Sequence, residues 1–372
     1  MTYVFRRKRN VVLVRPLDAL GRLFFRRRAR PRVESHPGKI LVIRLDHLGD
    51  ILPATGVPKA LKEHYPGARV TFLTSSAGAE LLAENPFVDE VIAYDAPWFT
   101  RGKRRSRLGF WRLLAELSRR EFDLGFSLRG DLRENFLIWA AGVKERVGYG
   151  ITGGGFFLTQ EARYHVGVHE SRHTPELLAA AGIHAGAAAG PRLYFSDREA
   201  AEYETKLSAL GLERGGRYAG FQPFSGTRAK DWPEEHAAEF IRLFHERFPD
   251  TTLVLVGAGP KKIAAPGRAL DLTGRTTVRE LALLQKKLKL FVGPDSGPTH
   301  LAAALGIPTV FLYSGTNRFD EWKPLSDAAT VLREPVDCSP CGLVDCVVAG
   351  HPCMRRLTPS LALEAAAKRL RA

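Results

Sequence analysis

Between Lys39 and Tyr194 short aliphatic runs alternate with stretches of helical periodicity. Lys39 to Ile43, Val70 to Leu73, Glu90 to Tyr94 and Leu124 to Ser127 read as strands, and Ala54 to Tyr65, Gly78 to Asn85 and Phe110 to Arg120 as helices. Strands that are apolar along their whole length suit a parallel sheet covered on both faces, so the pattern is doubly wound α/β. A polar helical stretch, Asp197 to Leu210, and then Glu213-Arg214-Gly215-Gly216-Arg217 read as a boundary. Beyond it the alternation resumes. Tyr218 to Gln222, Thr252 to Val256, Leu290 to Val292 and Thr309 to Leu312 are predicted strands; Pro233 to Arg247, Thr277 to Lys286 and Thr299 to Leu305 are predicted helices. Asp231-Trp232-Pro233-Glu234 is a helix start with proline just inside and acids in the first turn, and Ser360 to Leu370 reads as a terminal helix.

Two turns stand out. Arg44-Leu45-Asp46-His47-Leu48-Gly49-Asp50 follows the first strand, and Gly293-Pro294-Asp295-Ser296-Gly297-Pro298-Thr299-His300 follows Lys289 to Val292. Ligands of open α/β sheets bind just beyond the carboxyl ends of strands, where glycine lets the backbone approach and helix N-termini offer N–H groups to phosphates. One such site in each half leads to the expectation of two Rossmann-like domains facing a central cleft. The expected division is an arm at 1–37, a first domain at 38–195, a linker at 196–216, a second domain at 217–358 and a helix at 359–372.

Length and composition allow two cores, with 372 residues of which 45% are apolar. Charge adds a separate feature. Of the net +15, about +10 lies in the first 32 residues, where eleven Arg and Lys stand against Asp18 alone. Val11 to Val14, Leu17, Leu20, Leu23, Phe24 and Phe25 interleave with these arginines, as expected of a helix lying on an anionic bilayer. The apolar stretch is broken by Arg15, Asp18 and Arg22, which argues against a signal peptide, and no nucleic-acid-binding module accompanies the basic cluster. A solvated arm is the plainer alternative. A second basic patch, Arg101, Lys103, Arg104, Arg105 and Arg107, is predicted on a surface loop.

Four motifs in order carry a resemblance: the Arg44–Asp50 turn, Ser225-Gly226-Thr227-Arg228-Ala229-Lys230-Asp231-Trp232-Pro233, Leu272-Thr273-Gly274-Arg275-Thr276, and Asp295-Ser296-Gly297-Pro298-Thr299-His300 with its helix to Gly306. From Lys39 to about Leu370 the chain resembles glycosyltransferase family 9, the lipopolysaccharide heptosyltransferases. The resemblance implies a GT-B architecture, acceptor binding by the first domain and nucleotide-sugar binding by the second. It also implies inverting transfer of a heptose, typically from an ADP-activated donor, to the lipopolysaccharide inner core. The alternatives are a family 9 transferase with another nucleotide sugar or a different glycan or protein acceptor, and a binding protein on a degenerate transferase fold.

The chemistry of direct displacement at an anomeric carbon asks for the same parts. A carboxylate must take the acceptor proton, and cations or N–H groups must hold the departing diphosphate. Asp50 matches the family's catalytic aspartate, with N-capping of a helix starting near Leu52 as its structural alternative and Asp46 as the runner-up base. Lys230 matches the donor-phosphate lysine. Ser225 and Thr227 are expected beside it, with Asp295, Ser296, Gly297 and His300 on the donor sugar and diphosphate and Thr273, Gly274 and Thr276 near the base and ribose. Arg44, His47 and Gly49 are candidate acceptor or phosphate contacts. No Asp-X-Asp occurs, which favours a metal-independent reaction, and no cofactor is expected.

All four cysteines fall in Cys338-Ser339-Pro340-Cys341, Cys346 and Cys353. This spacing is compatible with free structural thiols, with a four-thiolate zinc site that could substitute His351, or with two disulfides, which a cytoplasmic enzyme disfavours. The expected partners are a nucleotide-sugar donor, a glycolipid or glycan acceptor and an anionic membrane surface reached by the arm, with no nucleic acid. The expected location is the cytoplasm, peripheral on the inner face of the membrane.

Overall fold

A computed structural model describes residues 9–25, 36–98, 107–186, 190–213, 215–259, 261, 263 and 269–371. Arg6, Arg7, Lys8, Arg26, Arg27, Arg28, Arg30 and Arg32 of the basic segment, and Arg101 to Arg105 of the second patch, lie outside them. The chain forms two compact units, Met1–Tyr194 and Phe195–Ala372.

The first unit holds six parallel strands: β1 (Lys39–Arg44), β2 (Arg69–Thr74), β3 (Glu90–Ala93), β4 (Leu124–Ser127), β5 (Glu145–Gly148) and β6 (Gln160–Glu161), in the order 3-2-1-4-5-6. β1 is central, pairing Ile40 with Val70 on one side and with Leu124 on the other. Ile40, Leu41, Val42 and Ile43 are fully buried on both faces, which is why β1 reads as an unbroken apolar run. The helix predicted over Ala54 to Tyr65 is divided near Pro58 into the end of a 3₁₀ segment Leu52–Gly56 and a helix Val57–His64, and an α-turn Leu48–Ile51 precedes them.

The second unit repeats the plan with β7 (Tyr218–Phe221), β8 (Thr252–Leu255), β9 (Leu270–Asp271), β10 (Leu290–Pro294), β11 (Thr309–Tyr313) and β12 (Ala329–Arg333), in the order 12-11-10-7-8-9. Numbered within the unit, that is again 3-2-1-4-5-6 read from the other edge. In both sheets the chain therefore winds outward in one direction, returns to the centre and winds outward in the other. The predicted start at Pro233 is displaced by one residue, since Pro233 is the N-cap and the helix runs Glu234–Arg247. Phe221, Trp232, Phe240 and Phe244 pack between this helix and the sheet. The C-terminal helix Pro359–Arg371 buries Ala362, Ala365 and Ala366 in the same core.

The N-terminal helix Arg9–Phe24 belongs to the first unit. Asp18 is 2% exposed and its carboxylate accepts the Gly154 N–H at 2.8 Å. Arg22 pairs with Glu161 at 2.8 Å, and a Cβ at Gly21 would strike the Phe156 ring, so only glycine allows this approach. Its other side shows Val12, Leu20, Leu23 and Phe24 to solvent. Among the described residues no helix is long and apolar enough to cross a membrane.

Trp232 is 1% exposed and its indole N–H donates to the Leu357 carbonyl at 2.8 Å, joining the loop after β7 to the C-terminal segment. Trp232→Ala is expected to cost about 3–5 kcal/mol and to lower the melting temperature of the second unit by roughly 6–20 °C. Trp232→Phe, which keeps most of the packing but orphans that carbonyl, should cost about 1–3 kcal/mol in calorimetry. Equal losses for the two variants would contradict this division.

Candidate active site

A crevice opens at the carboxyl ends of two neighbouring strands whose connections leave in opposite directions. In the first unit these strands are β1 and β4. Arg44 ends β1, and Asp46 and Asp50 follow within one turn; Arg129, Asp131 and Glu134 follow β4. The Arg44 guanidinium is 5% exposed and lies 3.5 Å from Asp46, 3.8 Å from Asp50 and 3.5 Å from Glu170, while it donates to the Leu128 carbonyl at 3.3 Å. Arg129 reaches across from β4 to Asp46 at 2.5 Å. Two arginines thus sit among Asp46, Asp50, Asp131, Glu134 and Glu170.

Asp50 is the third residue of the turn of helix Leu48–Ile51, whose N-cap is His47. The capping role weighed for Asp50 is therefore not the one it has. Burial, then repulsion from Asp46, pushes the Asp50 carboxyl up to about 8, with Arg44 and Arg129 pulling the other way and Glu170 adding to the rise. Asp50 keeps a quarter of its side chain exposed, so a proton on it can be exchanged with a substrate group. His47 is exposed at the mouth of the turn, and Gly49 lies within it.

Beneath the turn, Glu134 is wholly buried and accepts the Leu45 N–H at 2.9 Å. Its second oxygen has no hydrogen-bond partner, and burial pushes its carboxyl up to about 8 against the pull of Arg129. A neutral Glu134 can therefore hold the β1 turn without adding another full negative charge.

In the second unit the crevice lies between β7 and β10. Lys230, from the short 3₁₀ turn Arg228–Lys230 after β7, donates to the Asp295 carboxylate and to its carbonyl, both at 2.9 Å. Asp295 is 2% exposed and also binds the His300 ring at 2.9 Å and the Asn317 amide at 2.8 Å. Burial works against its charge, yet Lys230 and His300 outweigh it and hold this carboxyl well below the usual range. An ammonium has three donors, and the protein uses two of them here. Ser296 is the N-cap of helix Gly297–Ala304, but its hydroxyl bonds to Gln222 at 2.7 Å, so no side chain caps that helix.

Ser225 and Thr227 stand in the same loop, although the Ser225 hydroxyl is taken by Asp231 and by the Thr227 backbone. His300 is likewise engaged by Asp295. Thr273 and Gly274 follow β9, at the sheet edge and separated from β7 by β8; the Thr273 N–H bonds to Asp271, and Gly274 has φ +72°. Thr276 lies on the same connection before the Thr277 capping box.

The four cysteines are unpaired thiols, and among the described residues no group of His, Cys, Asp and Glu is placed to hold a metal. The zinc and disulfide alternatives for Cys338, Cys341, Cys346 and Cys353 are thus not the arrangement found. His351 bonds to the Ala229 carbonyl at 3.0 Å, and the Ala229 N–H donates to Val344 at 2.8 Å. The cysteine-rich segment clasps the Lys230 loop by its backbone.

Sequence reading missed Arg129, Glu134, Glu170 and Asn317. Arg129 and Asn317 follow strands that the pattern did predict, so the rule that singled out Asp50 and Asp295 would have reached them. Glu170 precedes a helix, His173–Ala180, and carries no local signal.

Two doubly wound units of identical strand order, each with a charged turn at its switch point, are the architecture of the GT-B class. Residues 110–350 match the family model "Glycosyltransferase family 9 (heptosyltransferase)", and the chain belongs to that family. The match includes Lys230 and Asp295 and begins after Asp50. The chain is 23% identical over 326 residues to lipopolysaccharide core heptosyltransferase OpsX of Haemophilus influenzae, covering 82% of this chain and 87% of that one. It is 27% identical to lipopolysaccharide heptosyltransferase 2 of Escherichia coli, covering 88% and 97%. The solved structure of E. coli ADP-heptose lps heptosyltransferase II superposes with a TM-score of 0.69 at 22% identity, covering 89% and 98%.

The raised Glu134 carboxyl makes a stability prediction. Its folded value of about 8 lies above the ordinary 4.5, so the native state binds a proton that the unfolded chain has released, and this contribution is lost as pH rises between those values. Glu134→Gln keeps an acceptor for Leu45 without that titration. Its melting temperature relative to wild type should rise by at least about 2 °C from pH 5 to pH 9, whereas Glu134→Ala, which also lacks the titration, should lie about 1–3 kcal/mol below Glu134→Gln at every pH. A pH-independent difference for Glu134→Gln would contradict the assignment.

Proposed function

We propose that this protein is an inverting glycosyltransferase moving a heptose from an ADP-activated donor onto a sugar of the lipopolysaccharide inner core, with Asp50 as general base. The observation that carries the reading is the Asp50 carboxyl itself, raised to about 8 by burial and by Asp46 at the switch point of the first unit. A base works best when its pKa lies near the operating pH, and Asp50 meets that condition while keeping access to solvent. The relatives named for lipopolysaccharide core heptosyl transfer support the acceptor class, and the relative named for ADP-heptose supports the donor.

Asp50 removes the proton of the acceptor hydroxyl as its oxygen attacks the anomeric carbon. The bond from that carbon to the diphosphate oxygen breaks on the opposite face, and ADP departs with the electron pair. Lys230 gives its third N–H to the diphosphate while Asp295 keeps the ammonium in place. The uncapped first turn of helix Gly297–Ala304 adds the N–H groups of Gly297 and Thr299, which allows charge stabilisation without a divalent ion. Asp295, Ser296 and His300 order this turn, Ser225 and Thr227 shape the loop, and Thr273, Gly274 and Thr276 receive the nucleoside. Arg44 fixes Asp50, and His47 and Gly49 border the acceptor. Work at a glycolipid places the enzyme on the inner face of the cytoplasmic membrane, held there by the basic N-terminal segment.

The pH dependence tests the base. Only the ionised carboxylate accepts a proton, so kcat/KM should rise with pH below about 8 and level above it. Asp50→Asn should lower kcat by roughly 10²–10⁴ and abolish that rise. A variant that turns over within twofold of wild type with the same profile excludes Asp50 as the base.

A further inference from the structure

The first unit carries a cavity that the transfer chemistry leaves unused. It has a volume of about 490 Å³, within the range of small-molecule sites, and lies between the N-terminal helix Arg9–Phe24 and the helices Arg107–Ser118 and Leu132–Ala140. Its walls are almost entirely apolar, formed chiefly by Val14, Leu17, Trp98, Phe110, Leu132 and Phe136. Two charged groups border it. Asp18 is turned to the Gly154 N–H, and Arg133 forks onto Asp131 at 2.7 and 2.6 Å with its guanidinium 5.0 Å over the Trp98 ring. Neither charge enters as an unpaired group, so the interior favours an apolar ligand.

Two observations select the occupant. The first is charge. The helix that forms one wall carries Leu17, Leu20, Leu23 and Phe24 exposed beside Arg15 and Arg22, in a segment with eleven basic residues against one acid. An apolar slot walled by a helix from this basic segment complements an amphiphile with an anionic head and a hydrocarbon tail. The second is continuity with the Asp50 cluster. Leu132 and Arg133 follow Asp131 directly, and Arg129, two residues before it, binds Asp46 at 2.5 Å. The cavity therefore begins one turn of chain from the carboxylates that surround Asp50.

We propose that this cavity binds an acyl chain of the glycolipid acceptor, with the sugar directed to Asp50. The assignment rests on the reading of the acceptor as a glycolipid. It makes the N-terminal helix a wall of the acceptor site as well as a membrane contact, and it makes acylation a determinant of acceptor choice.

Two measurements on the full chain separate the pocket from that reading. In the first, 9,10-dibromostearate below its micelle concentration is titrated against tryptophan fluorescence, since bromine quenches an indole that it touches. Saturable quenching that is lost in Trp98→Phe and weakened at least about tenfold in Leu17→Glu supports the pocket. In the second, kcat/KM is compared for an acylated acceptor and its fully deacylated form. Wild type should prefer the acylated one by at least about tenfold, and Leu17→Glu should remove the preference while leaving the deacylated value unchanged. Leu17 is 61% exposed, so the charge does not threaten the fold; Leu17→Phe, which narrows the slot without charge and adds no indole, should act alike. Quenching unaltered by all three variants, or equal use of both acceptors by wild type, overturns the proposal. Quenching of the expected pattern without transfer to either acceptor sustains a lipid pocket and removes the glycolipid-acceptor reading. Transfer to both acceptors at equal efficiency without quenching does the reverse.

Discussion

Where a parallel sheet reverses its direction of winding, two neighbouring strands send their chains to opposite faces, and the space beyond their carboxyl ends is left uncovered. Both units of this protein are organised by that constraint. It sets β1 beside β4 and β7 beside β10, so that residues some 80 positions apart in the first unit, and about 65 apart in the second, meet across one crevice. Arg129 meets Asp46 in the first; Lys230 meets Asp295 in the second. Neither pair could form from a single strand–turn–helix segment, and the apolar strands beneath them supply the rigid floor that holds each turn.

The two crevices use the same geometry to opposite electrostatic ends. In the first, acids outnumber arginines, and burial drives protons onto Asp50 and Glu134. In the second, Lys230, His300 and Asn317 all converge on one buried carboxylate, and Asp295 stays ionised far below the usual range. A carboxyl poised near neutrality can take up or release a proton; one that is permanently charged can hold a lysine in place. The cysteine-rich segment contributes to the second arrangement through the His351 ring and the Val344 carbonyl, both bonded to the backbone of Ala229.

Much of this was legible from periodicity. The central strands are apolar on both faces and are bounded by turn residues, so they announce themselves, and a carboxylate just after such a strand was the reason for choosing Asp50 and Asp295. Strands β5, β6, β9 and β12 were not found, because Glu145 and Arg146 break the apolar pattern of β5 and two-residue or half-exposed strands leave little pattern. Partnerships were less visible than positions. Nothing local in the sequence shows that His300 and the Ser225 hydroxyl are already engaged, or that Glu170 comes within 3.5 Å of Arg44 from a different connection. The docking of the N-terminal helix was hidden for a different reason. Its arginines dominate the composition, while the contacts that seat it depend on one buried acid, Asp18, and one glycine, Gly21.

The central claim is a division of labour, with proton transfer in the first unit and diphosphate binding in the second. Isothermal titration of ADP-heptose into wild type, Asp50→Asn and Lys230→Ala measures it directly. The account predicts that Asp50→Asn binds the donor within about twofold of wild type and that Lys230→Ala, which removes a charge-assisted hydrogen bond to the diphosphate, binds at least about tenfold more weakly. Loss of donor binding in Asp50→Asn, or undiminished binding in a folded Lys230→Ala, would contradict it.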